Sequence, residues 1–106
     1  MDAEVHALVP SNKKLKIPHM GWNQLEFSEP RHPVLKDLTS GDHVYFVHSY
    51  HVICRYKSDA LAKTYHGEEI NAAVGRDNIF GTQFHPEKSQ RVGLKTIMNF
   101  LSWYPD

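Results

Sequence analysis

A chain of 106 residues whose twelve acidic and twelve basic side chains cancel carries no basic stripe, which argues against electrostatic binding to nucleic acid. That length allows one domain at most, able to bury about two-thirds of its unfolded surface. No apolar run reaches the roughly 18 residues of a membrane helix. The opening MDAEVHALVP lacks both regions of a signal peptide, and one cysteine, Cys54, closes no internal disulfide; a reducing cytoplasm is the expected location.

In chain order, AEVHALV alternates weakly and ends at Pro10, SNKK is a polar turn, and LKIPHMGWNQLEF is extended, interrupted by Pro18 and Gly21. PRHP reads as a loop, VLKDL as one helical turn, and TSGD as another turn. HVYFVHSY, rich in β-branched and aromatic residues, is the clearest strand. HVICRY, LAKTYHG, INAAVGR and IFGTQF follow, punctuated at Gly67 and over residues 75–78, which predicts a mostly meander-like strand order. The period then changes. Leu94, Ile97, Met98, Leu101 and Tyr104 share one helical face, with Ser89 as N-cap and Pro105 as terminator. That apolar stripe is expected to pack on the sheet, while Phe100 and Trp103, off the stripe, predict a wider apolar face or contact with a neighbouring chain. One terminal helix covers one face of such a sheet, so the other needs a cover. The missing piece is expected before residue 1.

Between the last strand and the helix lies FGTQFHPEKSQ, which sets His85 and Glu87 two residues apart around Pro86. Residues just past the C-terminal end of a buried strand sit where α/β sheets commonly place ligands. Pro86 fixes its own φ and pushes His85 toward extended backbone. An imidazole held by a carboxylate is the base and orienter of a nucleophilic triad. For an isolated H-P-E tripeptide the competing reading is a packed histidine beside a solvated glutamate.

Longer stretches resolve that competition. GTQFHPEKSQ followed by GLKTIMNFL resembles the C-terminal signature of class I (triad-type) glutamine amidotransferases, and KIPHMGWN and YFVHSY narrow the resemblance to the glutaminase subunits of imidazole glycerol phosphate synthase, in histidine biosynthesis. The matches run over nearly the whole chain but correspond to the C-terminal half of that family. The resemblance implies an α/β, flavodoxin-like three-layer fold, present here as a strand-rich C-terminal portion (residues 1–106) ending in one amphipathic helix. It implies His85 as catalytic base and Glu87 as its orienter, acting on a cysteine thiol that attacks the side-chain amide of glutamine. The ammonia released would pass to a (β/α)8-barrel cyclase partner, which uses it to form imidazole glycerol phosphate. His48, Ser49 and Tyr50 fall near the active site by the same resemblance. Trp22, Tyr45 and Lys88 fall near the cyclase-docking face, where Lys88 is implied in a salt bridge to the partner; read alone, these residues are two packed rings and a solvated lysine. No cofactor is implied.

One element departs from the pattern. The family's nucleophile stands on a G-x-C-x-G elbow ahead of the PHMGWN stretch, and these 106 residues contain neither that motif nor a glycine-rich oxyanion loop. Cys54, between Ile53 and Arg55 with no adjacent glycine, reads as a packed strand residue. The expectation is a truncated form, inactive alone because the attacking sulfur is absent. The alternative is a non-catalytic module that self-associates or binds a partner through exposed apolar surface and strand edges.

Histidines 43, 48 and 51 with Cys54 invite a metal reading. On one continuous strand His48 and His51 point to opposite faces, and His48 and Cys54 stand about 20 Å apart. Zinc needs ligands within about 2 Å, so no metal site is expected unless the chain bends at Ser49–Tyr50.

Overall fold

The computed structural model describes residues 1–9, 15 and 17–105. The polar turn expected over residues 11–14 lies outside them. Strands form over β1 (Ala3–Ala7), β2 (His19–Gln24), β3 (Glu26–Phe27), β4 (His43–His48), β5 (Tyr50–Cys54), β6 (Ala60–Tyr65), β7 (Glu69–Arg76) and β8 (Ile79–Thr82), and the chain ends on helix α1 (Gln90–Leu101). Single 3-10 turns occupy Pro33–Leu35, Lys57–Asp59 and Pro86–Lys88; the first is the helical turn expected in VLKDL. Gly21 does not interrupt its segment: it sits inside β2 with φ of 119°, a value that favours glycine.

Every strand pair is antiparallel. β1 pairs with β5, β2 with β4, and a four-stranded sheet runs β3-β6-β7-β8. Meander order therefore holds for β6, β7 and β8 alone; β1 and β2 reach over intervening elements to β5 and β4. The period-2 pattern of β4 buries Val44, Phe46 and His48, and that of β6 buries Ala60, Ala62 and Thr64. These inward residues meet Leu25, Leu35, Leu38, Ala72, Ala73 and Phe84 in one core. Burying a side chain such as Phe46 contributes about 2 kcal/mol.

The helix forms where the period change predicts it, but with its faces reversed. Leu94, Ile97, Met98, Leu101 and Tyr104 are exposed, Ile97 least so, whereas Gly93 and Thr96 are buried. Small and polar residues make the inward contact. The Asn99 amide donates to the carbonyls of Val34 and Lys36 at 3.2 and 2.8 Å, and the Thr96 hydroxyl turns back to the Val92 carbonyl at 2.9 Å. Val92 alone among the helix's aliphatic residues packs against the core. Of the off-stripe aromatics, Trp103 is half-buried and meets His32 edge-on at 4.9 Å, while Phe100 touches Phe80 but stays largely exposed. Ser89 precedes the helix as expected, yet its side chain caps nothing.

The chain between β4 and β5 also differs from a continuous strand. It breaks at Ser49, and the two strands join different sheets. His48 and His51 are consequently both buried, which single-strand alternation forbids.

Candidate active site

His85 is fixed first through its backbone. Its N–H donates to the Tyr45 carbonyl at 3.0 Å, tying the start of the H-P-E turn to β4. Its carbonyl accepts from the Lys88 N–H at 3.0 Å and from the Ser89 hydroxyl at 2.7 Å. The same hydroxyl accepts from the Tyr45 N–H at 2.9 Å. Ser89 is only 1% exposed, so its hydroxyl is a buried rivet between β4 and the histidine.

From that anchored backbone, Nδ1 of His85 reaches the Glu87 carboxylate at 2.8 Å. Glu87 is held below the usual carboxylate range, first by a hydrogen bond from its own backbone N–H and then by the His85 ring. An ionised carboxylate only accepts, so Nδ1 carries the proton. In the neutral form of the ring, the lone pair therefore sits on Nε2. The pair opens to solvent, with the His85 side chain 37% exposed. An imidazole and a carboxylate are therefore paired and open to solvent, the arrangement a base and its orienter would need.

Of the remaining anticipated residues, Tyr45 and Lys88 adjoin this turn, Trp22 and His48 lie near it, and Ser49 and Tyr50 instead face β1. Trp22 and Tyr45 face each other across β2 and β4 and meet edge-on at 5.9 Å. The Lys88 ammonium lies 5.9 Å from the centre of the Tyr45 ring. These three form one patch, with Trp22 47% exposed, too open for a core ring. His48 is buried at the end of β4, where burial first, and then the neighbouring histidines 51, 66 and 85, hold it below the ordinary value. The Ser49 carbonyl accepts from the Leu8 N–H at 2.9 Å, and Tyr50 is exposed.

Cys54 is half-buried at the end of β5, its sulfur 3.9 Å from the Asn71 amide. Burial, and secondarily Asp59, push its thiol up, opposite to what a nucleophilic cysteine requires. Among the described residues no three His, Cys, Asp or Glu side chains are grouped as a metal site would group them.

Sequence reading passed over three residues. His19 stands directly opposite His48 in the β2–β4 register, and their ring nitrogens meet at 2.8 Å. Asn23 lies two strand repeats further along and donates to the other nitrogen of His19 at 3.2 Å. Gly93 lets α1 close on the H-P-E turn: a Cβ there would stand 1.8 Å from the Pro86 carbonyl oxygen. A signal existed for the first two, since PHMGWN and YFVHSY become facing strands once paired; none existed for the third.

An imidazole–carboxylate pair thus follows a strand and precedes a helix. Residues 3–102 match the family described as glutamine amidotransferase class-I, and the chain belongs to that family; its strands and single C-terminal helix are the α/β form expected of it. It is similar to imidazole glycerol phosphate synthase subunit HisH of Cereibacter sphaeroides, 54% identical over 102 residues, covering 96% of this chain and 48% of that protein. The subunit HisH of Rhodospirillum rubrum is 50% identical over 101 residues, 95% of this chain and 47% of its own. That of Ruegeria pomeroyi is 50% identical over 102 residues, 96% and 48% respectively. The chain thus spans about half the length of the curated relatives it matches.

Proposed function

We propose that this chain supplies the base and orienter of a glutaminase, the HisH-type subunit that provides ammonia to a cyclase in histidine biosynthesis in the cytoplasm. The observation that carries the reading is the 2.8 Å contact between His85 Nδ1 and Glu87, in a chain half identical to HisH subunits. In the reaction, Nε2 of His85 takes the proton of a cysteine thiol as the sulfur attacks the side-chain carbonyl carbon of glutamine. The tetrahedral intermediate collapses by breaking the C–N bond, and the imidazolium returns the proton to the leaving ammonia. Water, deprotonated by the same imidazole, then hydrolyses the thioester to glutamate. Glu87 holds the ring's tautomer and offsets the imidazolium charge throughout. Trp22, Tyr45 and Lys88 form the face proposed for the (β/α)8-barrel partner, with Lys88 able to pair with an acidic residue there.

The sulfur must come from outside these residues. Cys54 lies beside Asn71 with its thiol pushed up, and losing the attacking residue of a triad costs about six orders of magnitude in rate. The polypeptide of residues 1–106 is expected to release no ammonia from glutamine. Mixed with a polypeptide covering the first half of a HisH relative and the cyclase, it is expected to regain glutamine-dependent ammonia release that His85→Ala abolishes. Ammonia release that survives His85→Ala would overturn the assignment.

The outward stripe of Leu94, Met98 and Leu101 favours a second reading, a module that pairs with a second copy of itself. Sedimentation velocity separates the two: a monomer at tens of micromolar removes the second reading.

A further inference from the structure

Buried against Phe46 lies a polar chain that the proposed reaction does not use. The His19 ring stacks on Phe46 at 4.7 Å and on His66 at 4.2 Å; His19 and His48 are 3% and 9% exposed. The hydrogen bonds along it run in one direction only. The Tyr50 carbonyl, 2.9 Å from Nδ1 of His48, can only accept, so that nitrogen bears the proton. Nε2 of neutral His48 is then an acceptor, and Nδ1 of His19, 2.8 Å away, must be the donor. Nε2 of His19 is left as an acceptor, and it faces the Asn23 amide nitrogen at 3.2 Å. The orientation of that amide is fixed independently: its nitrogen also donates to the Tyr65 carbonyl at 2.8 Å, and its oxygen accepts from the Gln24 N–H at 2.8 Å. Donors and acceptors match at every joint when both rings are neutral. A second proton on either ring would set two N–H groups, or an N–H and an amide NH2, against each other in a buried space, where an unmatched polar group costs about 1–3 kcal/mol.

The chain ends on the Tyr50 carbonyl, and its middle member, His48, is near enough to His85 to interact with it electrostatically. β4 carries Tyr45, the backbone partner of His85, and finishes at His48. The next residues, Ser49 and Tyr50, make the break at which the polypeptide leaves one sheet for another. Its backbone is held by hydrogen bonds: the Ser49 carbonyl accepts from the Leu8 N–H at 2.9 Å, Tyr50 pairs with Ala7 of β1, and the Tyr50 carbonyl accepts from His48. The surrounding titratable groups are His66, stacked on His19, His51 with Glu68 at 3.5 Å, and His85.

We propose that His19 and Asn23 are positioning residues of the amidotransferase site: they fix the His48 ring near His85 and, through it, hold the Ser49–Tyr50 break in one conformation. This rests on the reading of His85 as catalytic base, but the hydrogen-bond chain is measurable without any activity. In the 106-residue chain labelled with 15N and 13C, long-range proton–nitrogen correlation at pH 7.5 is expected to show His19 and His48 both as the Nδ1–H tautomer. His19→Phe keeps the stacking and removes the chain; it is expected to leave His48 as a mixture of tautomers and to shift the Tyr50 carbonyl, the Ser49 and Tyr50 amides and the His85 ring, while the Ala72 and Ala73 amides of the four-stranded sheet stay in place. Asn23→Asp tests the same chain with little change of shape: a carboxylate facing Nε2 should raise the pH at which His19 is half-protonated by about two units, with the Nδ1–H donation to His48 retained. An Nε2–H tautomer at either histidine, or a Tyr50 carbonyl unmoved by His19→Phe, overturns the proposal. Where His19→Phe does not fold, an Asn23→Asp protein whose His19 titrates as before overturns it equally. Failure of the complemented enzyme with these signatures intact would count against His85 as base and leave the hydrogen-bond chain standing.

Discussion

Gly93 gives the sharpest test of how the H-P-E turn is built. An ideal Cβ at this position falls 1.8 Å from the Pro86 carbonyl oxygen, 2.7 Å from its carbonyl carbon and 3.0 Å from its Cα. All three are backbone atoms, so no side chain can swing aside. Relief requires the helix and the turn to separate by more than an ångström. The helix resists through the Asn99 bonds to Val34 and Lys36, and the turn resists through Ser89, whose hydroxyl holds both Tyr45 and His85. Overpacking commonly costs about 1–3 kcal/mol, and contact with fixed backbone belongs at or beyond the upper end. Alanine returns about 1 kcal/mol through its higher helix propensity. Gly93→Ala should therefore lose about 2 kcal/mol or more in urea unfolding, with the His85 and Glu87 resonances displaced. Gly81→Ala is the control: its Cβ would meet only Val74 Cγ2, at 3.9 Å, and should stay within about 0.5 kcal/mol of the parent. Gly93→Ala unfolding at the parent's midpoint, with His85 unmoved, would refute the claim that close approach of helix and turn sets the site.

Two further outcomes follow from the buried groups. Burial first, and then His66 and His48, push His19 down from the ordinary 6.5 to about 4, and His48 is lowered as well. Since the unfolded chain binds these protons more readily, stability is complete above about pH 6.5 and is lost as pH falls toward about 4. At 1.36 kcal/mol for each tenfold change in proton affinity, His19 accounts for about 3 kcal/mol of that loss. Urea midpoints between pH 7.5 and 4.5 should fall accordingly and His19→Phe should flatten the slope; equal slopes in the two proteins would show that other groups carry it. Ser89→Ala strands the buried Tyr45 N–H, whereas the His85 carbonyl keeps the Lys88 N–H. It should cost about 2 kcal/mol, which a parent-like midpoint would contradict.

The parts of this site legible in the sequence are those set by neighbours in the chain. The His85–Glu87 pair needs only two residues of spacing and the constraint of Pro86, and β4 announces itself through Val44, Phe46 and Val47. The errors arise where long-range packing decides. The stripe of Leu94, Met98 and Leu101 has the period of a buried face, but Gly93 and Asn99 give the opposite face close backbone approach and hydrogen bonds that aliphatic residues cannot provide. Strand alternation likewise failed at His48 and His51 because Ser49 breaks the strand between two sheets. His19 remained hidden because its partner is 29 residues away and becomes visible only once the β2–β4 register is known.

The contacts that orient His85 come from residues 45–93 alone: the Tyr45 backbone, the Glu87 carboxylate, the Ser89 hydroxyl and the clearance at Gly93. None involves a nucleophile, so in the proposed reading the base is set before a thiol arrives. Much of an enzyme's advantage lies in holding reacting groups already in place; well-oriented reactions of this kind reach effective molarities of about 10^5 M and above. A base assembled within one segment brings that ordering to any surface that seats a cysteine against Nε2. In the reading proposed here, supplying the thiol from a separate polypeptide changes how often the site is completed, through the affinity between the two pieces. The geometry of proton transfer in each completed site is already present in the turn from His85 to Ser89.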